Sequence, residues 1–330
     1  MGRGRRWVAA IGALSAAVLI SGVAGARAFP SPGTPQQVAA LVASSHAIER
    51  LPSSLVPPLA DLGADNAAAW GYWKVAHGCT TVTECAYGDK GASASVVLLG
   101  DSHAAMWLPA LDWVGHHLGF RVVLLWEPGC PAADVTVLSD RTHRVDAACN
   151  AFRKAALSAI TTLAPELVLT ANRTTNVEGP GGRFVTSRAW QAGLTATIST
   201  LLAAKLRVAV IGDVTALTSR IPQCLAAYPS TVQRCSSPNP NPAEHTERKA
   251  ELAAAKATGV PYLDPEPWLC TKVCSPVVGT YATYYDWQHV SATYAAFLSL
   301  EWEGALKPLL VGGAAQRRTG ASARPSTVVR

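Results

Sequence analysis

The sequence predicts an α/β protein: a doubly wound, flavodoxin-like and mostly parallel sheet of about five strands, with helices on both faces. Three observations carry that prediction. From Ser95 onward, short apolar runs alternate with longer alanine-rich or amphipathic stretches. The short runs are near-continuously apolar, as expected of parallel strands covered by helices on both sides. Glycine or proline stops, such as Gly119, Pro165 and Gly259, punctuate the longer stretches.

The elements follow in order. Residues 1–28 read as an export signal or an N-terminal membrane anchor, with a basic start, an apolar run from Trp7 to Ala24 and a small-x-small sequence at Ala26-Arg27-Ala28. In either case the remainder is expected outside the cytoplasm. Residues 29–78 are rich in alanine and proline, which suggests a linker leading into an N-terminal extension. The main domain is expected over 79–311. "SVVLLG" (95–100) is its first strand and "AAMWLPALDWVGHHLG" (104–119) the helix after it. "RVVLLWEPG" (121–129) is the second strand, and residues 147–165 form a helix ended by Pro165. The third strand is "ELVLTANRT" (166–174). A helix over 187–205 feeds the strand "LRVAVIGD" (206–213), and a helix over 241–259 feeds "VPYLDPEP" (260–267). The last helix covers about Ser291 to Leu309. Residues 312–330 lack apolar periodicity and are expected to be disordered.

Composition narrows the function. The formal charge of +6 arises in the terminal segments. Without the eight arginines at positions 3, 5, 6, 27, 317, 318, 324 and 330, 20 basic residues face 22 acidic ones. No basic stripe remains, so nucleic acid is not an expected partner. The eight cysteines fall into neighbouring couples, Cys79/Cys85, Cys130/Cys149, Cys224/Cys235 and Cys270/Cys274. An even count in an exported chain favours disulfides, and pairing along the chain is the simplest of many connectivities. The absence of a C-x-x-C pair and of histidines at ligand spacing argues against a metal. "VIGDVT" lacks the glycine pattern of a phosphate site, and no cofactor is expected.

In a doubly wound sheet, ligands bind beyond the carboxyl ends of the strands. Ser102 stands there, in "VVLLGDSHAAMW" (97–108). A serine at a helix start often serves only as a cap; as a nucleophile it needs a base. Asp286 and His289, in "YYDWQHVSATYAAF", supply one just before the last helix. Their spacing lets the aspartate reach Nδ1 and leaves Nε2 for a serine proton. The first and last strand-to-helix junctions open on the same edge, so Ser102, His289 and Asp286 can meet. His103, Trp107 and Trp287 are candidate substrate contacts from the same stretches, and Asp101 reads as fixing the loop. Asp213 lies at a strand end with no assigned role.

"GDSHA" followed late in the chain by D-x-x-H resembles the signature of the SGNH (GDSL-like) hydrolases. "LPSSLVPPLADLGAD", "GC…EC-AYGD", "GCPA" and "DWQHVSATYA" narrow the resemblance, which runs from about Leu51 to Leu310. They are similar to the extracytoplasmic SGNH domain fused to acyltransferase-3 membrane domains in actinobacterial proteins. The resemblance implies a serine esterase or O-acyltransferase acting on acyl esters, acetyl above all, of cell-envelope carbohydrate. It implies catalysis by Ser102, His289 and Asp286 through an acyl-enzyme. It further implies an oxyanion hole built from the N–H groups of Ser102 and Gly129 and from Asn172, although the family's Gly-x-Asn-Asp form is absent around Asn172. The fused relatives carry a multi-span domain, and this chain has at most one span. A separately encoded membrane acyltransferase is therefore a candidate partner. Two alternatives stay open: a non-catalytic glycan-binding or docking module on the same scaffold, and a lipid esterase.

Overall fold

In the computed structural model, which describes residues 29–72, 85–139, 142–240 and 245–320, all five expected strands form and a sixth joins them. They are β1 (Ala86–Gly88), β2 (Ser95–Gly100), β3 (Arg121–Trp126), β4 (Leu167–Ala171), β5 (Val208–Ile211) and β6 (Tyr262–Leu263). The sheet order is β1-β3-β2-β4-β5-β6. β2 to β6 are parallel, and β1 is an antiparallel edge strand on β3. The chain moves from β2 to β3 on one side and then crosses to β4 on the other. That reversal beside β2 makes the topological switch point of a flavodoxin-like sheet.

Alternation along each strand divides the core into two layers. Val96, Leu98, Val122, Leu124, Leu167 and Leu169 face one side. There they pack against α3 (Leu108–Leu118) and the pair α7 (Ala292–Phe297) and α8 (Ser299–Gly320). Val97, Leu99, Val123, Leu125, Val168 and Val210 face the other side, against α4 (Ala147–Leu163), α5 (Ser187–Ala203) and α6 (His245–Thr258). Each of these strand residues is at most 5% exposed, and full burial of such a side chain contributes about 1.5–3 kcal/mol. The two faces are why the runs read as continuously apolar.

Local chemistry explains where the helices begin. Asp146, Thr186 and Ser291 accept N–H bonds from the first turns of α4, α5 and α7. The stretch expected as one helix over 104–119 is instead two: α2 (Ser102–Ala105) and α3. Pro109 has no N–H to continue the first helix and suits the first turn of a new one. At the far end, α8 runs to Gly320.

The N-terminal extension packs against the first core layer. Helix α1 (Pro35–Ser44) buries Val38 and Val42 in the first core layer. The Gly33 N–H donates to the Phe297 carbonyl at 2.9 Å. Asp65, fully buried, reaches the start of α7: its carbonyl accepts from Ala292 N–H at 2.8 Å and its carboxylate from Thr293 N–H at 3.0 Å. The same carboxylate accepts from the Trp70 indole N–H at 3.0 Å. Three of the expected disulfides form, Cys130–Cys149, Cys224–Cys235 and Cys270–Cys274. Cys85 is disulfide-bonded as well, while Cys79 and the leader over 1–28 lie outside the described residues. Among the described residues no helix is long and apolar enough to cross a membrane.

Replacing Asp65 with alanine would strip a buried acceptor from Thr293 and Trp70. The expected loss is about 2–4 kcal/mol, since each orphaned buried donor costs about 1–3 kcal/mol. Urea unfolding followed by tryptophan fluorescence checks this, with the midpoint shifting down at unchanged slope.

Candidate active site

The site is built at the carboxyl end of β2. Gly100 pairs with Trp126 of β3 and Ala171 of β4. A Cβ at this position would run into the Ala171 carbonyl oxygen, so only glycine permits the approach. Asp101, 1% exposed, turns the chain. Its carboxylate accepts from the His103 N–H at 2.9 Å and from the Arg173 N–H at 2.9 and 3.1 Å. That clamp ties the first turn of α2 to the loop leaving β4, and it sets Ser102, half-buried, at the sheet edge.

The loop before α7 delivers Asp286 and His289 to the same edge. It is closed by the bridge between Tyr284 and Val290 and held from the side by Leu217 N–H, which donates to the Trp287 carbonyl at 2.7 Å. Ile221 N–H donates to the Asp286 carbonyl at 3.2 Å. Asp286 Oδ1 accepts the N–H groups of Gln288 and His289, both at 2.8 Å. Its Oδ2 lies 2.6 Å from His289 Nδ1, and His289 Nε2 lies 2.8 Å from Ser102 Oγ. A carboxylate only accepts, so Nδ1 carries the proton and Nε2 accepts from the serine hydroxyl. The imidazole is stacked on Tyr285, with centroids 5.4 Å apart and planes 11° from parallel. The three residues named from 187 positions of separation thus form one hydrogen-bonded line.

Burial and charge tune this line. The His289 side chain is 12% exposed. Its desolvation outweighs the hydrogen bond from Asp286 and, with nearby His103, holds its pKa below the usual value of 6.5. Burial alone would raise Asp286, but the bonds from His289 and from the two backbone N–H groups prevail and keep it below the usual range. At neutral pH the arrangement is a neutral imidazole oriented by an ionised carboxylate.

Gly129 stands in the loop after β3, exposed and at φ 68°, where glycine meets no Cβ penalty. Neither its N–H nor that of Ser102 is used in a hydrogen bond among the described residues. The two groups leave adjacent strand ends, since Gly100 and Trp126 are register partners. Asn172 is placed otherwise. It is 1% exposed, its Oδ1 accepts from the Ala132 N–H at 2.6 Å, and its amide nitrogen is buried beside Glu251. Asn172 is a strut between the loops after β3 and β4, with no donor open to a ligand. This corrects its assignment as an oxyanion donor.

The candidate contacts separate in the same way. Trp107 is 1% exposed and packs edge to face with Trp302 at 5.0 Å, so it is core under α2 and not a substrate contact. His103 is buried and contacts Asp213 and His289 instead of opening to a ligand. Trp287 remains partly exposed beside Asp286. Sequence reasoning missed the role of Asp213 and of Tyr285, whose only signals were a strand-end acid and an aromatic beside the D-x-x-H stretch. A cavity of about 630 Å³ between residues 134–136, the 179–186 segment and α5 is lined by none of the three aligned residues. The grouping of Glu266 with Cys270 and Cys274 offers no metal site, because both thiols are consumed in a disulfide.

Known proteins match this architecture. The periplasmic domain of a lipopolysaccharide acetyltransferase from Salmonella ser. Paratyphi A superposes with a TM-score of 0.58 at 17% identity, covering 80% of this chain and 99% of that one. A putative acylhydrolase from Bacteroides fragilis gives 0.42 at 16% identity over 68% and 91% of the two chains. A GDSL-like lipase from Bacteroides thetaiotaomicron gives 0.41 at 13% over 76% and 100%. No curated protein matches the chain. The family model described as "SGNH domain (fused to AT3 domains)" matches residues 72–303, which span β1 to β6, Ser102 and the Asp286–His289 pair. The chain therefore belongs to this SGNH-domain family and is an enzyme of the SGNH hydrolase type.

Proposed function

We propose that the protein is an extracytoplasmic serine esterase or O-acyltransferase that works on acyl esters, acetyl in the first place, of cell-envelope carbohydrate. The observation that carries this reading is the continuous line from Asp286 through His289 to Ser102, at 2.6 and 2.8 Å, beside two unused backbone N–H groups. His289 Nε2 takes the Ser102 proton as Oγ attacks the ester carbonyl. The oxyanion that forms is held by the N–H groups of Ser102 and Gly129. The intermediate collapses, the C–O bond to the alcohol breaks, and His289 returns its proton to the departing alkoxide. The acyl group then sits on Ser102. In the second half His289 deprotonates a water or a sugar hydroxyl, which attacks the acyl-enzyme; the bond from the acyl carbon to Ser102 Oγ breaks and His289 returns the proton to Oγ.

The address and the substrate class rest on three supports. The leader has the form of an export signal, the disulfides suit an oxidising compartment, and the similar Salmonella structure is the periplasmic domain of a lipopolysaccharide acetyltransferase. The family's association with AT3 domains favours a separately encoded membrane acyltransferase as the source of acyl groups.

The test is labelling by a fluorophosphonate probe together with hydrolysis of p-nitrophenyl acetate by the oxidised protein. Ser102→Ala abolishes labelling, and His289→Ala lowers kcat by about 10³-fold or more. Because His289 must be neutral to accept a proton and its pKa is depressed, activity stays flat through neutral pH. It falls only as pH drops through a value below 6.5; a midpoint above that value contradicts the assignment. Asn172→Ala instead costs about 1–3 kcal/mol in urea unfolding through the orphaned Ala132 N–H.

A further inference from the structure

A second histidine–aspartate pair lies behind the first. His103 Nδ1 is 2.6 Å from Asp213 Oδ1, and both side chains are at most 3% exposed. The His103 ring meets the His289 ring edge to face, with centroids 4.8 Å apart. Its Nε2 is buried and has no hydrogen-bond partner. That ring atom is therefore held in the dry interior next to the working imidazole.

Asp213 is anchored as an anion. Its Oδ1 also accepts from the Val214 N–H at 2.8 Å, and its Oδ2 accepts the N–H of Thr174 at 2.8 Å and the Thr174 hydroxyl at 3.0 Å. These bonds fasten the turn after β5 to the loop after β4. The groups facing His103 come from every neighbouring element: Asp213 after β5, Asp101 before α2, Arg173 after β4 and His289 before α7. Glu251 of α6 stands behind Asp213 and accepts its N–H at 2.9 Å, and complete burial, with the neighbouring Asp213, raises its pKa well above the usual range. The carboxyl groups of Asp213 and Asp101 and one arginine therefore surround His103.

We propose that His103 and Asp213 form a positioning pair for His289: a buried imidazolium–carboxylate dyad whose charge keeps the neighbouring imidazole neutral, and so competent as a base, into more acidic conditions. The inference rests on the reading of His289 as the base. The charge balance supports it. Burial disfavours a charged His103 and Arg173 adds to that, but Asp213 and Asp101 outweigh both and raise its pKa. His103 in turn is among the causes that lower His289. The proton of the dyad does not transfer during the reaction; it acts only through its field and its contact with the ring.

The test reads His289 directly, without turnover. Ring nitrogen and proton resonances of the histidines are followed by NMR against pH in the wild type, in His103→Gln and in Asp213→Asn, alongside the pH profile of fluorophosphonate labelling. His103→Gln removes the neighbouring cation and moves the His289 midpoint up by about one unit; Asp213→Asn does the same by removing the anion that keeps His103 charged, and the labelling midpoint moves with it. A uniform loss of labelling with an unmoved midpoint would mark a merely structural role and overturn the proposal. If neither variant folds, the wild-type spectrum decides: His103 must keep both ring protons at a pH where His289 has lost one, and a neutral His103 there overturns the proposal. Wild-type protein that shows this titration but takes no label counts against the esterase reading, not against the coupling.

Discussion

The buried carboxylate of Asp101 accepts N–H bonds from His103 on one side and Arg173 on the other, and the position of everything at the sheet edge depends on that clamp. It fastens the serine turn to the loop leaving β4, across the point where Gly100 lets the two strand ends touch. Ser102 can then meet a histidine delivered by the far end of the chain. The loop after β4 also carries Thr174, which holds Asp213, which holds His103. One side chain on β2's end is thus connected, bond by bond, to the loops after β4 and β5.

Fixing polar groups this way is expensive in a dry interior, and the structure meets the requirement by pairing. Asp65 spans from the extension to α7, Asn172 spans two loops, and Asp286 satisfies two backbone donors as well as an imidazole. Lost pairings of this kind cost about 1–3 kcal/mol each, a large share of the stability of any domain. The same pairing holds the site: the His289 ring stacks on Tyr285 and meets His103 edge to face while its two nitrogens reach Asp286 and Ser102.

Much of this was legible in the amino-acid sequence, and the reasons are physical. Strands buried on both faces are apolar at every position, so the five parallel strands declared themselves; β1, with only Ala86, Tyr87 and Gly88, has too few residues for any pattern. Ser102, Asp286 and His289 were legible because a strand end and a helix start locate them on one edge. Burial was not legible. Trp107 and Asn172 sit in motifs that read as functional, yet tertiary packing turned both inward. Composition marked residues 29–78 as rich in alanine and proline but did not single out the few residues that fasten the extension, Val38, Val42 and Asp65. The contact between His103 and Asp213 spans 110 residues and follows no local rule.

The account stands on Ser102 as the atom that carries the acyl group. The most direct measurement is intact-protein and peptide mass spectrometry of the oxidised protein, quenched in acid during reaction with an activated acetyl ester. The account predicts a single acetyl group on the peptide containing Ser102, lost on further incubation with water or a sugar acceptor and absent in Ser102→Ala. Acetyl groups scattered over lysines, or one that persists in Ser102→Ala, would contradict it.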